Sequence, residues 1–136
     1  MYCPCTAFVA SDKRIDMIVI DPSIPKTGWV LDPTVRWERN TKAGGTATEE
    51  EKTPQDQWVD KQKREYYEPC IPDLKLAFNL EEVHIIGLLI GTRGTIFTVF
   101  ENFRKKFGLS KQLSKDVAVA AVKGSCQILH NHLYSV

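Results

Sequence analysis

The chain has 136 residues, of which 43% are hydrophobic and 26% charged, and its formal net charge is +1. This length and balance predict one globular domain with a real core, and the near-neutral total excludes a global basic signal for nucleic acid. Apolar runs such as residues 85–90 are too short to cross a bilayer, and the N-terminus lacks a signal-peptide pattern. We therefore expect an intracellular protein without membrane contact. Residues 1–13 give only weak signals and form a ragged N-terminal remnant, so we place the domain at 14–136.

The first predicted elements form an antiparallel hairpin. Residues 14–21 (RIDMIVID) are rich in β-branched and apolar types, which predicts a buried strand. Pro and Gly punctuate residues 22–28, which predicts a turn, and residues 29–37 (WVLDPTVRW) predict a second strand. Pro33 removes a backbone donor from this strand, so we expect an edge position or a bulge there.

A polar segment separates the hairpin from the first predicted helix. Residues 39–54 are rich in Gly, Thr and Glu without periodicity, which predicts a flexible insertion. Residues 55–67 predict a helix, which Pro69 and Pro72 break or bend. Residues 74–79 predict one more short turn of helix.

The C-terminal half predicts a strand followed by two helices. Residues 83–90 are a nearly continuous apolar run, typical of a central strand that is covered on both faces. Glycines at both ends of residues 91–94 predict a tight turn, followed by helices over 95–107 and 110–134. The inner side of the last helix is expected to carry Val117, Ala120, Ala121 and Ile128. The order β-β-α-β-α-α predicts an α/β layered domain.

The cysteines give no clear framework. They are Cys3, Cys5, Cys70 and Cys126. Their spacing matches neither a zinc finger nor a disulfide framework. Cys126, His130 and His132 could form a metal site, but a second ligand pair at suitable spacing is missing, so we favour ordinary helix packing.

Two acids interrupt the apolar strands of the hairpin. Asp16 and Asp32 each lie within an apolar run, where an ionised carboxylate is costly unless it is paired or binds a metal. Alternation along a strand places Asp32, Thr34 and Arg36 on one face. If the strands pair, Asp16 and Asp32 can share one pocket, and oxygen-only ligands suit Mg²⁺ or Mn²⁺. The alternative is that both acids are structural or face solvent.

Lys63 and Tyr67 are the next candidate residues. They are four positions apart on the predicted helix, so they share a face. A lysine beside a carboxylate-bound metal can position or help deprotonate a water, and it can neutralise charge on a phosphate. Two acids on a hairpin and one lysine on a helix are a sufficient apparatus for cutting a phosphodiester.

Local basic groups are candidate phosphate contacts. They are Lys61, Lys63 and Arg64 in one cluster and Arg104, Lys105 and Lys106 in another. Phosphate binding needs only a local patch, although solvated surface is the alternative. Arg93, between glycines, can grip phosphate oxygens unless its turn is purely structural. We expect DNA contacts from Arg36, Lys61, Arg64 and Arg93.

Several segments together resemble one known family. RIDMIVID, WVLDPTVRWE, the K-x-x-x-Y at Lys63 and Tyr67, and IIGLLIGTRGTI resemble the C-terminal restriction-like endonuclease domain of site-specific non-LTR retrotransposon polyproteins. The resemblance covers residues from about 14 to 134, and the order of the segments carries it rather than any single one. It implies a PD-(D/E)XK fold, a mixed β-sheet flanked by helices, and nicking of target DNA to prime reverse transcription.

The resemblance also implies the site residues. The first family acid matches Asp16, with Ile directly before it where many relatives have Pro, and the second acid matches Asp32. Thr34 stands where many nucleases carry a lysine. In this family the lysine lies on the following helix, which matches Lys63 with Tyr67 as its partner.

Partners and context follow from the same resemblance. It implies Mg²⁺ or Mn²⁺ as cofactor, double-stranded DNA as target, the reverse transcriptase portion of the same polyprotein as partner, and the nucleus as location. The chain contains neither a Tyr-x-Asp-Asp polymerase signature nor an upstream zinc knuckle, which suggests a retroelement-derived fragment. Two alternatives stay open. One is an inactive remnant that binds DNA or a protein; the other is a module unrelated to nucleases, in which Asp16, Asp32 and Lys63 do not converge.

Overall fold

Strands and helices follow one another along the chain in the computed structural model, which describes residues 3–4, 14–15 and 17–134. The described strands are β1 (Cys3–Pro4), β2 (Arg14–Ile15), β3 (Met17–Ile20), β4 (Thr27–Arg36) and β5 (Glu82–Gly91). The described helices are α1 (Glu49–Lys52), α2 (Gln55–Tyr67), α3 (Ile71–Phe78), α4 (Thr98–Lys106) and α5 (Lys111–Tyr134). Of these helices, none is long and apolar enough to span a membrane.

The larger sheet has the order β3-β4-β5, and β1 pairs with β2 in a separate two-stranded ladder. β3 and β4 are antiparallel, with Met17 opposite Leu31 and Ile20 opposite Gly28. The sheet is mixed, so β4 and β5 run parallel, and α1, α2 and α3 lie in the connection between them. The predicted antiparallel hairpin and the mixed α/β class with flanking helices are confirmed.

Two predictions about strand position were wrong: an edge position for Pro33 and a central position for the strand at 83–90. A bulge at Pro33, the other possibility predicted, stays a prediction. Pro33 lies in β4, the middle strand of the sheet, and not at an edge. It is tolerated because β3 pairs with Gly28–Leu31, and Pro33 lies beyond that segment with an exposed side chain. The strand predicted to be central is β5, which ends the order of the described sheet. The apolar run of β5 correctly predicted that this strand is largely buried. Burial alone does not reveal whether neighbouring strands or helices cover it.

The prolines after α2 begin helical segments and do not simply end one. Pro69 lies in the first turn of a 3-10 helix, Glu68–Cys70, and Pro72 lies in the first turn of α3. Backbone N–H groups at these positions have no partner within their own helix, so proline costs little there. Helical structure therefore resumes earlier than the predicted range of 74–79.

The predicted insertion at residues 39–54 contains a helix that the sequence analysis did not anticipate. Thr48 caps α1: its Oγ1 accepts from the Glu51 backbone N–H at 3.2 Å, and the Glu51 carboxylate accepts from the Thr48 N–H at 3.4 Å. Arg39 donates to the Glu50 carbonyl oxygen at 2.7 Å. The Thr-x-x-Glu pattern at 48–51 is the signal that could have revealed this helix.

The chain divides into two compact units. The first combines Met1–Asp32 with Val59–Gly87. Its buried core cluster consists of Ile15, Val30, Tyr67, Cys70, Leu74 and Ile85. Cys70 is fully buried and disulfide-bonded. The conclusion that the cysteine spacing offers no disulfide framework is corrected here, because spacing in sequence does not reveal which sulfurs meet in space.

The second unit combines Pro33–Trp58 with Leu88–Val136. Its buried apolar side chains include Leu88, Leu89, Ile90, Phe100 and Ala121. Of the residues predicted on the inner side of the last helix, Ala121 is buried and Val117 is half-buried, whereas Ala120 and Ile128 are exposed. The apolar residues of α5 are spread around the helix, so their spacing does not single out one face.

Candidate active site

The carboxylate of Asp32 is the centre of the candidate site in the first unit. Asp32 lies in β4 and is buried, with 9% of its side chain exposed. Its Oδ2 lies 3.0 Å from the Lys63 Nζ and accepts a hydrogen bond from the Tyr67 hydroxyl at 2.8 Å. Three of the four residues predicted to be catalytic therefore meet at one oxygen.

Helix geometry explains why Lys63 and Tyr67 reach the same oxygen. They are one turn apart on α2, so their side chains leave the same face of the helix. A buried carboxylate is costly by itself, and a charged and a neutral donor together offset its loss of hydration. Lys63 keeps 22% of its side chain exposed, so its ammonium group remains within reach of solvent.

Asp16, the fourth predicted catalytic residue, lies outside the described residues. Its role as a second metal ligand stays a prediction. Residues 3–4, 14–15 and 17–134 contain no group of three or more His, Cys, Asp and Glu side chains that could hold a metal ion. Cys126, near His130 and His132 in sequence, is a free and exposed thiol.

The predicted DNA contacts on α2 lie close to the catalytic candidates in sequence. Lys61 is exposed. Arg64 keeps 62% of its side chain exposed while it forms an ion pair with Asp60, and this hydrogen bond raises the pKa of the guanidinium. Arg36, in the second unit, is half-buried at the end of β4. DNA binding by these three residues stays a prediction.

The turn after β5 forms as predicted. The Gly94 N–H donates to the Gly91 carbonyl oxygen at 2.9 Å, and Gly94 has a φ of +85°, which favours glycine. A β-carbon on Gly91 would collide with the Glu38 carboxylate. The glycine therefore permits the close approach of a carboxylate from the same chain.

Glu38 occupies the donors of this turn. Its carboxylate accepts from the Arg93 backbone N–H at 2.9 Å, from the Arg93 Nε at 3.2 Å, and from the hydroxyls of Thr95 at 3.0 Å and Thr92 at 3.2 Å. Arg93 also lies over the Trp37 ring, 5.7 Å from its centroid. Arg93 donates to Glu38 through its Nε while 68% of its side chain stays exposed, so contact of its guanidinium with phosphate stays a prediction.

The electrostatics of Glu38 reflect this cage of donors. Burial raises the pKa of the carboxyl group. Hydrogen bonds from the backbone of Arg93 and Glu38 and from the side chains of Thr95 and Arg93 together lower this pKa by more than burial raises it. The net effect lowers the pKa of Glu38 to about 2. Glu38 is therefore ionised at neutral pH, and it holds its arginine partner as a carboxylate.

The second basic cluster is divided between structure and surface. Arg104 is buried, donates to the Glu101 carboxylate at 2.9 Å and to the Leu109 carbonyl oxygen at 2.9 Å. Lys105 and Lys106 are exposed. Arg104 therefore stabilises the end of α4, and it is not available as a surface cation.

Asp60 is a buried acid that the sequence analysis missed. Its Oδ1 accepts from the Gly87 backbone N–H at 2.8 Å, and its Oδ2 pairs with Arg64. On a polar helix, an acid directly before a lysine looks like a solvated position. The available signal was Gly87, because an isolated glycine in an apolar strand indicates close backbone approach.

Comparisons of this chain with protein-family models, curated proteins and solved structures find no match. Function is therefore inferred from the chemistry of the Asp32 site and from the segments of the sequence itself.

Proposed function

We propose that this chain is a divalent-metal-dependent endonuclease that hydrolyses a phosphodiester bond of double-stranded DNA. The observation that carries the proposal is the buried Asp32 carboxylate, which meets the Lys63 ammonium and the Tyr67 hydroxyl at one oxygen. The order of the hairpin, helix and strand segments supports the same activity through its resemblance to retrotransposon endonucleases. That resemblance also supports target-primed reverse transcription as the context and the nucleus as the location.

Asp32 fits a metal ligand by its donor chemistry. Mg²⁺ and Mn²⁺ prefer carboxylate oxygens, and Asp32 would hold the ion together with Asp16, the second acid predicted from the sequence. A bound cation of this type polarises a phosphate and lowers the pKa of a coordinated water. The test of this assignment is metal binding by the Asp32→Asn variant, which keeps the shape of the side chain but loses its charge.

Lys63 supplies the positive charge in the proposed reaction. Its ammonium group would orient the attacking water and offset the negative charge that develops on the phosphate oxygens. The water oxygen would bond to phosphorus and lose a proton to solvent, while the bond from phosphorus to the 3′ oxygen breaks. The departing 3′ oxygen takes a proton from solvent and becomes the 3′-hydroxyl that a polymerase needs for priming, and the phosphate stays on the 5′ side. Tyr67 holds the Asp32 carboxylate in place by donating to its Oδ2.

The experiment is a nicking assay on supercoiled plasmid with the full chain, with Mg²⁺ or Mn²⁺, for the wild type, Lys63→Ala and Lys75→Ala. We expect Lys63→Ala to slow nicking by roughly a hundredfold or more, or about 3 kcal/mol of barrier. Lys75 is an exposed lysine on α3 of the same unit and serves as the matched control, with unchanged nicking. Thermal melting of each variant ensures that the assay temperature keeps all three proteins folded.

The outcome also separates the endonuclease from an inactive DNA-binding remnant. Equal nicking by Lys63→Ala and the wild type would remove Lys63 from the mechanism. A wild type that binds DNA but does not nick it with either metal would favour the remnant. A wild type that neither binds nor nicks DNA would contradict both functions.

A further inference from the structure

Asp60 and Gly87 join α2 to β5 at the level of the Asp32 site. Asp60 is buried, and its Oδ1 accepts a hydrogen bond from the Gly87 backbone N–H at 2.8 Å. This hydrogen bond fixes the position of α2 along β5, because it is made to the backbone N–H of one particular residue of the strand. Arg64 pairs with the second carboxylate oxygen, so the buried charge is compensated.

Gly87 allows the stem of the Lys63 side chain to approach the backbone of β5 more closely than a residue with a β-carbon would permit. A β-carbon at position 87 would lie 2.8 Å from the Lys63 Cγ, 2.9 Å from the Lys63 Cβ and 3.0 Å from the Asp60 Cα. These distances are shorter than ordinary carbon contacts of about 3.5–4.0 Å. The first two atoms of the Lys63 side chain therefore lie directly on the backbone of the strand.

This packing bears on a long, flexible side chain. A free lysine samples many rotamers, so its ammonium group does not hold one position unless the stem is confined. Here the stem is confined by Gly87 at its base, and the ammonium group is held by Asp32 at its tip, 3.0 Å from Oδ2. Asp60 lies three residues before Lys63, on the same side of α2.

We propose that Asp60 and Gly87 are positioning residues that set the Lys63 ammonium group against Asp32. They act through the backbone of β5 and the stem of Lys63, and neither touches the reacting atoms. Their importance for nicking rests on the proposed endonuclease function. Their effect on the position of the Lys63 side chain does not rest on that function, and it can be measured without any nuclease activity.

The first test is the reactivity of Lys63 itself. Brief acylation of the folded full chain at neutral pH, followed by peptide mass spectrometry, gives the rate for Lys63 relative to the exposed Lys75. In the wild type, the Lys63 ammonium group lies against Asp32 and only 22% of the side chain is exposed, so access of the reagent is limited and this ratio is low. Gly87→Ala should raise the ratio about tenfold, whereas Gly124→Ala should not change it. Gly124 is the matched control because a β-carbon there meets nothing within 4 Å.

A pair of substitutions at Asp60 separates positioning from general destabilisation. Asp60→Asn keeps an oxygen that can accept from the Gly87 N–H, whereas Asp60→Ala removes it. We expect Asp60→Asn to retain the low reactivity of Lys63, and Asp60→Ala to raise it. Global unfolding would also raise the ratio, because Lys75 is already exposed in the folded chain. Thermal melting of each variant therefore establishes that it is folded during acylation, and a raised ratio in a folded variant reports loss of positioning.

Nicking supplies the second readout. Displacement of Lys63 by about 1 Å should lower kcat by roughly a hundredfold in Gly87→Ala and leave the KM for DNA unchanged. Wild-type reactivity of Lys63 in folded Gly87→Ala would overturn the proposal. If that variant fails to fold, equal reactivity in Asp60→Ala and Asp60→Asn would overturn it. A wild type without nicking activity contradicts the proposed function only, because the acylation ratios still decide the positioning.

Discussion

At the scale of single residues, the buried oxygen of Asp32 depends on two donors of different kinds. Lys63 contributes charge and Tyr67 contributes a neutral hydroxyl whose ring belongs to the core of the first unit. The two contributions can be separated experimentally, because Phe keeps the ring of Tyr67 and removes only the hydroxyl.

Tyr67→Phe should cost about 1 kcal/mol of unfolding free energy, since Asp32 loses one hydrogen bond and keeps its lysine. Nicking should fall by a smaller factor than in Lys63→Ala, because the charge beside the phosphate remains. Denaturant titration and the plasmid assay measure the two effects. Tyr134→Phe is the control, since Tyr134 is 71% exposed. A Tyr67→Phe variant as slow as Lys63→Ala would show that the hydroxyl has a direct part in the reaction.

The sequence allowed some of these contacts to be predicted and concealed others. Lys63 and Tyr67 could be paired from their spacing, because helical geometry fixes which residues share a face. Asp60 and Glu38 could not, because their partners Gly87 and Arg93 lie 27 and 55 residues away along the chain. Short-range periodicity carries no information about which distant backbone amide will meet a given carboxylate.

At the scale of elements, local sequence signals predicted where helices and strands lie along the chain better than they predicted which strands are adjacent in the sheet. The helix predicted over 55–67 has those bounds in the structure, and β5 extends the predicted strand by one residue at each end. The order of the strands did not follow from the apolar run of β5 or from Pro33 in β4. Sheet order depends on how crossover connections pack, and this is decided by contacts between elements that are distant in sequence.

The turn between β5 and α4 gives an element-scale prediction. Glu38 has a pKa of about 2 against an ordinary value of 4.5, so it binds a proton less readily in the folded state than in the unfolded state. Its stabilising effect is therefore fully present above about pH 4.5 and is lost as the pH falls towards 2. Glu38→Gln should be less stable than the wild type at neutral pH, and this difference should shrink across that interval.

Urea denaturation of both proteins between pH 2 and 7 measures the difference. Other acids with lowered pKa values, such as Asp21 and Glu101, are present in both proteins, so their effects cancel. A difference that stays constant across the interval would mean that the turn does not depend on the charge of Glu38.

At the scale of the whole molecule, the net charge is close to zero and basic side chains are clustered locally. The net charge is only +1, yet α2 presents exposed Lys61 and largely exposed Arg64 in the same unit as Asp32. DNA affinity should therefore come from a few phosphate contacts, which makes it weak and dependent on salt.

The disulfide of Cys70 ties the stability of the chain to its redox environment. Cys70 lies three residues after Tyr67, and both belong to the buried core cluster of the first unit. Disulfides are rare in reducing compartments, so a nuclear enzyme would have to work with this bond reduced. Reduction should lower the unfolding free energy by about 2–4 kcal/mol and lower the melting temperature. Melting and plasmid nicking, each with and without a thiol reductant, measure the consequence for the fold and for the site.

Cys126→Ser is the control for this last prediction, because Cys126 is free and exposed, and its replacement should leave the response to reductant unchanged. Cys70 is fully buried, so a reductant reaches its own sulfur only when the core around it opens. A melting temperature that does not respond to reductant would mean that packing alone holds Cys70 and the end of α2. Retained nicking after reduction, together with a lowered melting temperature, would show that the Asp32 site forms without the disulfide and would make the nuclear assignment chemically consistent.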